Sequence, residues 1–171
     1  MGHLHLIEQL FSRGIVDELI LVPTGEPWLR DHAPHASGED RLAMTKLAIK
    51  DLPENIRSHV KVSDTEVRRS GPTYTIDTVH ELQALRPDAK WILIIGSDAY
   101  TNFAQWHRSA ELQRLIEVLV IARDGDGFNI DALPVSATEI RSQIQSGTSE
   151  IKYLPESIKA YIKERNLYAR K

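Results

Sequence analysis

The sequence predicts an α/β fold in which helices cover both faces of a parallel sheet. Short apolar runs alternate with segments whose apolar residues recur at helical spacing. The apolar runs are continuous, which is typical of parallel strands buried on both faces. The clearest of these runs are residues 19–22, 91–95 and 118–122.

The first half of the chain is predicted to hold three helices and two strands. In order, these are a helix over 4–11, a strand over 19–22, a helix over about 38–49, a strand over 60–62 and a helix over 76–85. Gly14 is a plausible end for the first helix, and Ser37 with Asp40 three residues later opens the second. Pro23 ends the first strand and Pro87 closes the third helix.

The second half repeats the alternation. It is predicted to contain a strand over 91–95, a helix over 112–116, a strand over 118–122, a helix from 136 to about 147 and a final helix from about 155. Pro155 suits the first turn of that last helix, with Ile158, Tyr161 and Ile162 facing inward.

Composition narrows the function classes. The 171 residues are 42% hydrophobic and 26% charged, and we predict one domain over residues 1–171. The net charge of −3 gives no basic field for a nucleic-acid polymer. Without cysteine, disulfides and thiolate zinc sites are excluded. We expect a cytoplasmic protein without a membrane partner, because no apolar run approaches the ~20 residues of a membrane span and the N-terminus lacks signal-peptide features.

Polar and aromatic residues follow each predicted strand. They occupy residues 23–30, 64–78, 96–98 and 106–107. Each loop alone fits a solvated turn. Because the carboxyl ends of parallel strands meet at one edge of a sheet, where ligands bind, the four loops together favour a cleft.

The residues from Ser136 to Arg141 predict an anion site. Ser136 and Glu139 form a capping box, so a helix starts here with unpaired N–H groups and the positive end of its dipole. Thr138 adds a hydroxyl and Arg141 a guanidinium, and phosphate fits such a site best. An ordinary helix cap followed by a surface arginine fits the same residues.

Three further positions each allow two interpretations. Gly71-Pro72 predicts a turn before a helix that Thr73 or Thr75 caps, where amides hold a carboxylate as readily as a phosphate. Trp106 can stack on a flat heterocycle or anchor a helix in the core. His3, at the start of the first helix, can face a bound anion or belong to a frayed terminus.

These pieces, in this order, resemble bacterial nicotinate-nucleotide adenylyltransferases of the HxGH nucleotidyltransferase superfamily. The matching segments are residues 2–3, 22–25, 70–78, 95–98 with Trp106, and 135–141, and the resemblance extends from Gly2 to about Tyr168. The segment 135–141 and the Gly-His pair are shared across the superfamily. Gly-Pro-Thr-Tyr-Thr-Ile-Asp-Thr at 71–78 and Gly-Ser-Asp with Trp106 are more specific, and they point to its pyridine-nucleotide branch.

The resemblance implies a Rossmann-like, doubly wound parallel sheet of the nucleotidyltransferase type. It also implies transfer of AMP from ATP to nicotinate mononucleotide, with Mg²⁺ accompanying ATP, giving deamido-NAD and pyrophosphate. Such enzymes form no covalent intermediate, so the protein supplies positioning and charge stabilisation. The residues alone agree with this, because they offer anion sites and no convincing nucleophile–base pair.

The resemblance also assigns roles by position. On the ATP side, His3 would contact the phosphates, Asp98 would lie at the ribose, and the triphosphate would be held by Ser136, Thr138 and Arg141. On the mononucleotide side, backbone amides of Thr75 and His107 would meet the nicotinate carboxylate, and Trp106 would stack on the pyridine ring. Arg30 would meet the phosphate of the mononucleotide, and Thr24 would lie in the substrate loop. No protein ligand to a metal is assigned.

The N-terminus departs from the family pattern. Family members begin with a strand, a Gly-Gly loop and the first histidine of HxGH, whereas this sequence opens at Met1-Gly2-His3. We therefore expect the first strand to be missing, which leaves its neighbours with unpaired backbone groups. Either the start was assigned at an internal methionine, which we prefer, or the protein is a truncated relative with little activity. A stop codon directly upstream of Met1 would contradict the first explanation.

Other functions remain open at this point. An adenylyltransferase for nicotinamide mononucleotide would differ from one for nicotinate mononucleotide only in contacts made by backbone amides. An enzyme acting on phosphopantetheine fits the surroundings of Thr75 and Trp106 poorly. A non-catalytic nucleotide-binding relative is the alternative from another class, and a homo-oligomer is compatible with the sequence.

Overall fold

The helices follow the predicted alternation. The structure, a computed structural model, describes residues 2–29, 34–122, 128–129, 133, 136–148 and 151–169. Its described helices are Gly2–Ser12 (α1), Gly38–Ala48 (α2), Glu54–Arg57 (α3), Thr65–Arg68 (α4), Thr75–Leu85 (α5), Ser97–Thr101 (α6), Ser109–Leu115 (α7), Ala137–Gln145 (α8) and Glu156–Glu164 (α9). Short 3-10 helices cover Ile49–Asp51 and Phe103–Gln105.

Every described strand pair is parallel. The strands are Leu19–Leu21 (β1), Glu26–Pro27 (β2), Val60–Val62 (β3), Pro72–Thr73 (β4), Ile92–Gly96 (β5), Glu117–Ala122 (β6) and Phe128–Asn129 (β7). β1 pairs with β3, β2 with β4, and β6 lies between β5 and β7. The predicted α/β class with a parallel sheet is confirmed.

Local signals set the ends of several helices. Gly14 follows α1 with a φ of 64°, a left-handed conformation that glycine adopts without strain. The Ser37 hydroxyl accepts the Asp40 N–H at 3.0 Å, which caps α2 as predicted. Two predictions were wrong in detail. Tyr74, not a threonine, is the N-cap of α5, and Pro155 is the N-cap of α9 rather than a residue of its first turn.

The core has two separate clusters, one for each half of the molecule. Around β1 and β3, α1 buries Leu4 and Ile7 against Leu52 and Val60. Around β5 and β6, a second cluster consists of Ile76, Val79, Phe103, Leu112 and Ile116, contributed by α5, α7 and neighbouring segments. Each cluster buries apolar surface against its own half-sheet, so each half has its own source of hydrophobic stabilisation.

The central strands are less buried than their composition predicts. All three residues of β1 and the first four of β5 are half-buried, although continuous apolar runs predict burial on both faces. The physical reason is that β1 and β5 belong to separate sheets among the described strands. Each therefore has one edge without a strand partner in that part of the chain.

A buried carboxylate fastens the last helix to α2. Asp40 is 5% exposed and accepts hydrogen bonds from Ser37 Oγ at 2.7 Å, Tyr161 Oη at 2.9 Å and Arg165 Nε at 3.1 Å. The hydrogen bond from Ser37, helped by those from Tyr161 and Arg165, holds the pKa of Asp40 below its usual value, although burial opposes this. α9 therefore depends on an ion pair as well as on Ile162, which is buried.

Length and polarity together exclude a spanning role for the described helices. Over the ranges described above, no helix combines the length and apolar character needed to cross a bilayer.

Candidate functional site

A cavity of about 960 Å³ lies between β1 and β5. Four residues singled out from the sequence, from segments far apart in the chain, line it: His3, Thr24, Thr75 and Trp106. Thr24 follows β1, His3 and Thr75 belong to the first turns of α1 and α5, and Trp106 lies beyond β5. These four residues therefore share one cavity, which also extends along β1 and β5 to the residues that precede both strands.

The start of α5 is built to leave backbone amides available. Gly71 has a φ of 76°, and the turn it forms delivers Pro72 and Thr73 into β4, paired with β2. Tyr74 then caps the helix with no side-chain hydrogen bond, and Thr75 is the first helical residue. Because the first N–H groups of a helix lack intrahelical partners, the Thr75 amide lies at a natural site for an anion.

Aromatic rings form a wall beside this helix start. Tyr74 packs against His107, with ring centroids 4.2 Å apart, and against the edge of Trp28 at 5.4 Å. Trp28 is 41% exposed, which leaves ring surface available for a ligand. Trp106 contacts Phe103, with centroids 5.1 Å apart, and it is half-buried against the core as well as lining the cavity. Trp106 therefore packs against the core and also lines the cavity, and its stacking on a flat heterocycle stays a prediction.

Glu66 connects the loop after β1 to α5. It is 9% exposed, and its carboxylate accepts hydrogen bonds from Thr78 Oγ1 at 3.1 Å and from the Gly25 N–H at 3.3 Å. A Cβ on Gly25 would lie only 2.1 Å from the Glu66 carbonyl oxygen, so this close approach requires glycine. The loop that carries Thr24 is thus held against the helix that carries Thr75.

Arg41 holds the same loop from the other side. Its guanidinium donates to the Gly25 carbonyl at 2.8 Å, to the Thr24 carbonyl and to the Ala36 carbonyl at 2.5 Å. No sequence motif assigned a role to Glu66, Arg41, Tyr74 or Trp28. For Glu66, Tyr74 and Trp28, the available signal was a position in the polar loops that follow the first two predicted strands.

The predicted phosphate helix has the expected local geometry. Ser136 caps α8 by accepting the Glu139 N–H at 3.0 Å, and Arg141 Nη2 donates to Thr138 Oγ1 at 3.0 Å. The hydroxyls and the guanidinium therefore lie together on the first turns. Among the described residues that line the cavity, none belongs to α8. Pro134 and Val135, which precede the cap, lie outside the described residues.

The pKa of Tyr168, in the C-terminal segment, is affected by the charge of Arg141 in α8. Burial raises the pKa of Tyr168, and the positive charges of Arg141 and Arg41 partly oppose that rise. Both guanidiniums are therefore close enough to this phenol to act on it electrostatically.

The structure gives fewer contacts for the remaining predicted site residues. Asp98 is exposed in α6, directly after β5, and Gly96 and Ala99 beside it line the cavity. His107 is exposed and contacts Tyr74. Arg30 lies outside the described residues, so its predicted role stays a prediction. Within the described ranges, no group of three His, Asp or Glu side chains is arranged to hold a metal ion.

Comparison with known proteins relates this site to one family. The Cytidylyltransferase-like family model matches residues 1–145. A probable nicotinate-nucleotide adenylyltransferase of Synechococcus sp. (strain JA-3-3Ab) is 38% identical, with 98% of this chain and 87% of the relative covered. One of Dehalococcoides mccartyi (strain CBDB1) is 33% identical, with 99% and 91% covered.

A solved structure shares the fold. The Plasmodium falciparum nicotinic acid mononucleotide adenylyltransferase complexed with NaAD superposes with a TM-score of 0.79 at 20% identity, covering 98% of this chain and 90% of that chain. Fold, family model and full-length relatives agree. The chain belongs to the Cytidylyltransferase-like family and, within it, to the nicotinate-nucleotide adenylyltransferases.

Proposed function

We propose that this protein transfers AMP from ATP to nicotinate mononucleotide, giving deamido-NAD and pyrophosphate. One observation carries the proposal: His3, Thr24, Thr75 and Trp106, from four distant segments of the chain, line a single cavity. The names of the relatives and the ligand of the structural neighbour support the same substrates.

The acceptor nucleotide binds at the start of α5 in this proposal. The carboxylate of the nicotinate ring accepts hydrogen bonds from the Thr75 amide and from the backbone amide of His107. Its flat ring stacks on Trp106, with Tyr74 and Trp28 extending the aromatic wall. Because a carboxylate carries a charge that an amide lacks, the positive end of the α5 dipole favours nicotinate over nicotinamide.

ATP binds toward α8 and α1 in the same proposal. Ser136, Thr138 and Arg141 hold the triphosphate, with Asp98 at the ribose, and His3 contacts the phosphates at the start of α1. A phosphate oxygen of the mononucleotide forms a bond to the α-phosphorus, and the bond from that phosphorus to the bridging oxygen breaks. Pyrophosphate leaves with the electron pair. Arg141 and a protonated His3 stabilise the developing charge, so no protein nucleophile is needed.

Magnesium fits this arrangement as a companion of ATP. Mg²⁺ at nucleotide sites is held by substrate phosphates and water with at most one or two carboxylates, so the described residues need supply no ligand cluster. When bound, it neutralises charge on the phosphate oxygens.

The setting of the reaction is also part of the proposal. We place the activity in one nucleotidyltransferase domain over residues 1–171, working in the cytoplasm, where a chain without cysteine has no need of oxidising conditions. Its partners are the two nucleotides, and a homo-oligomer is compatible with the proposal.

Pyrophosphate release tests the proposed function directly. The protein is mixed with ATP and Mg²⁺ and with either nicotinate or nicotinamide mononucleotide. We expect faster release with nicotinate. Faster release with nicotinamide would contradict the assigned substrate. Binding of both nucleotides without any release would instead identify a non-catalytic relative.

A further inference from the structure

The segment that carries the His107 amide is a tight turn. The Ser109 N–H donates to the Trp106 carbonyl at 3.0 Å, which closes the turn. His107 and Arg108 are its two central residues. Arg108, the N-cap of α7, has a φ of 54° and a ψ of 38°. This left-handed conformation favours glycine or asparagine, and arginine adopts it only at an energetic cost, so the turn needs a compensating contact.

Glu111 supplies that contact. Its two carboxylate oxygens accept from Arg108 Nε at 2.7 Å and from Arg108 Nη2 at 2.6 Å, which makes the ion pair bidentate. The Glu111 N–H also donates to the Arg108 carbonyl at 3.0 Å. The hydrogen bond from the Arg108 guanidinium is the largest cause of the lowered pKa of Glu111, and burial opposes it. Glu111 therefore holds both the backbone and the side chain of Arg108.

Glu111 also contacts α5. Its carboxylate lies 3.5 Å from Nε2 of His80, in the middle of that helix. The next residue of α7, Leu112, is fully buried in the same core cluster as Ile76 and Val79 of α5. α7 is therefore packed against α5, and Glu111 lies where the two helices and the turn meet.

A second contact joins the turn to the start of α5. Tyr74 directly precedes Thr75, and its ring packs against the ring of His107 with centroids 4.2 Å apart. Among the described residues, neither the Thr75 N–H nor the His107 N–H donates to a backbone carbonyl. These two donors, one from α5 and one from the turn, therefore belong to contacting segments. Their relative position depends on the conformation of the turn.

We infer that Glu111 is a positioning residue for the acceptor nucleotide: through Arg108 it fixes the turn, and the turn sets the His107 amide relative to α5. The inference rests on the proposed function, because that proposal has the amides of His107 and Thr75 bind the nicotinate carboxylate. A carboxylate offers two acceptor oxygens to two N–H donors, whereas a carboxamide offers one acceptor oxygen and an NH₂ group that donates. Glu111 should therefore affect the preference for nicotinate over nicotinamide.

Glu111→Ala tests the inference by deleting the ion pair with Arg108. We expect KM for nicotinate mononucleotide to rise about threefold to fivefold, because an exposed ion pair contributes up to about that factor, while KM for ATP stays constant. The preference for nicotinate over nicotinamide mononucleotide in kcat/KM should fall by a similar factor. Glu156→Ala is the matched control, because it deletes an ion pair with Lys159 at the same three-residue spacing in α9.

A second variant separates the conformation of the turn from the ion pair itself. Glycine adopts a φ of 54° without strain, so Arg108→Gly makes the ion pair unnecessary. When Arg108→Gly is combined with Glu111→Ala, we expect KM and the nicotinate preference to return toward the parent values. A merely structural ion pair predicts no such recovery, since the double variant lacks the pair as well.

Amide NMR signals of the full chain provide a measurement that does not require turnover. In the parent chain, saturating nicotinate mononucleotide should shift the amide signals of Thr75 and His107. In Glu111→Ala, the shift at His107 should shrink at equal saturation while the shift at Thr75 persists. These signals decide the inference even if the parent chain releases no pyrophosphate, a result that would contradict the proposed reaction alone.

Three results would overturn the inference. One is an unchanged KM and an unchanged nicotinate preference in Glu111→Ala, with both amide shifts intact. Another is a double variant as impaired as Glu111→Ala. The third is a parent chain in which nicotinate mononucleotide shifts neither amide signal, which would also remove the proposed acceptor site.

Discussion

The starts of α5 and α8 are both predicted anion sites, but they differ in how their first amides are used. α8 begins at Ser136, whose hydroxyl already accepts the Glu139 N–H. α5 begins at Tyr74, which makes no side-chain cap, so its first amides are not taken up by a capping side chain. α8 adds a guanidinium from Arg141 to its first turns, whereas α5 adds aromatic rings and lines the cavity.

In the proposed function these are two kinds of anion site. The hydroxyls and the guanidinium of α8 would meet a phosphate whose charge changes during the reaction. The backbone amide at the start of α5 would meet a flat carboxylate of fixed charge beside an aromatic wall. A strong capping box therefore marks a helix start, while an uncapped start in a cavity is the better candidate for recognition through the backbone.

Arg141→Ala is expected to have the largest effect. Loss of a contact to developing charge lowers kcat by about 10²–10³, because transition-state stabilisation is removed. The fold should be unchanged, since Arg141 makes its described hydrogen bond to an exposed neighbour, Thr138. Steady-state pyrophosphate release measures the effect. Arg114→Ala, an exposed arginine of α7, is the matched control. An unchanged kcat in Arg141→Ala would remove α8 from the proposed site.

Thr75→Pro tests the α5 side of the comparison. Proline is tolerated at the first helical position but lacks the N–H, so it deletes the proposed donor to the carboxylate while preserving the helix. A lost hydrogen bond to a charged group is worth about 1.5–3 kcal/mol, so KM for nicotinate mononucleotide should rise by roughly tenfold or more. KM for ATP should hold constant.

Thr75→Ala is the control for that variant, because it removes the side chain and keeps the amide. We expect nearly normal kinetics with both substrates. Equal damage in the alanine and proline variants would show that the hydroxyl, rather than the backbone, is what matters at this position.

Glu66→Ala should loosen the connection between the loop after β1 and α5. It removes the acceptor for Gly25 and for Thr78, so we expect KM for the mononucleotide to rise by roughly threefold to tenfold, with a smaller change in kcat. Glu66→Gln keeps one acceptor oxygen and should recover part of the affinity. If only the thermal midpoint fell and KM stayed constant, Glu66 would be purely structural.

Asp40→Asn should have the smallest effect on catalysis and a clear effect on stability. It weakens hydrogen bonds to Tyr161 and Arg165 that fasten α9 to α2, at a cost of about 1–3 kcal/mol. Urea unfolding at neutral pH measures the loss. A large fall in kcat would show that the C-terminal segment, through Tyr168, supports Arg141 in α8.

The pH dependence of that variant follows from the lowered pKa of Asp40. Because the folded value lies below the ordinary 3.8, the ionised carboxylate stabilises the fold above that pH. This contribution is lost as the pH falls through the folded pKa. The unfolding free energies of the parent chain and Asp40→Asn should therefore converge below about pH 3.8, and a constant difference would contradict the ion-pair explanation.

Local features were predictable to within a few residues. The caps at Ser37 and Ser136 form as expected, because the donor and acceptor are three residues apart and depend on little else. The four predicted strands lie within one residue of their expected positions, whereas the two-residue strands β2, β4 and β7 were not predicted, because two residues carry no periodicity. Tyr74 as the cap of α5 was missed, because it uses no side-chain hydrogen bond that a residue type could signal.

The sequence by itself determined the alternation of helices and strands, the family, and four of the residues that line the cavity, because local periodicity and short motifs encode them. Only the tertiary structure decided which strands pair, that the described sheet is divided beside β1 and β5, and that Glu66 joins Gly25 to Thr78. These depend on contacts between residues distant in the chain, and the energy of such contacts is set by packing and burial rather than by any neighbouring residue.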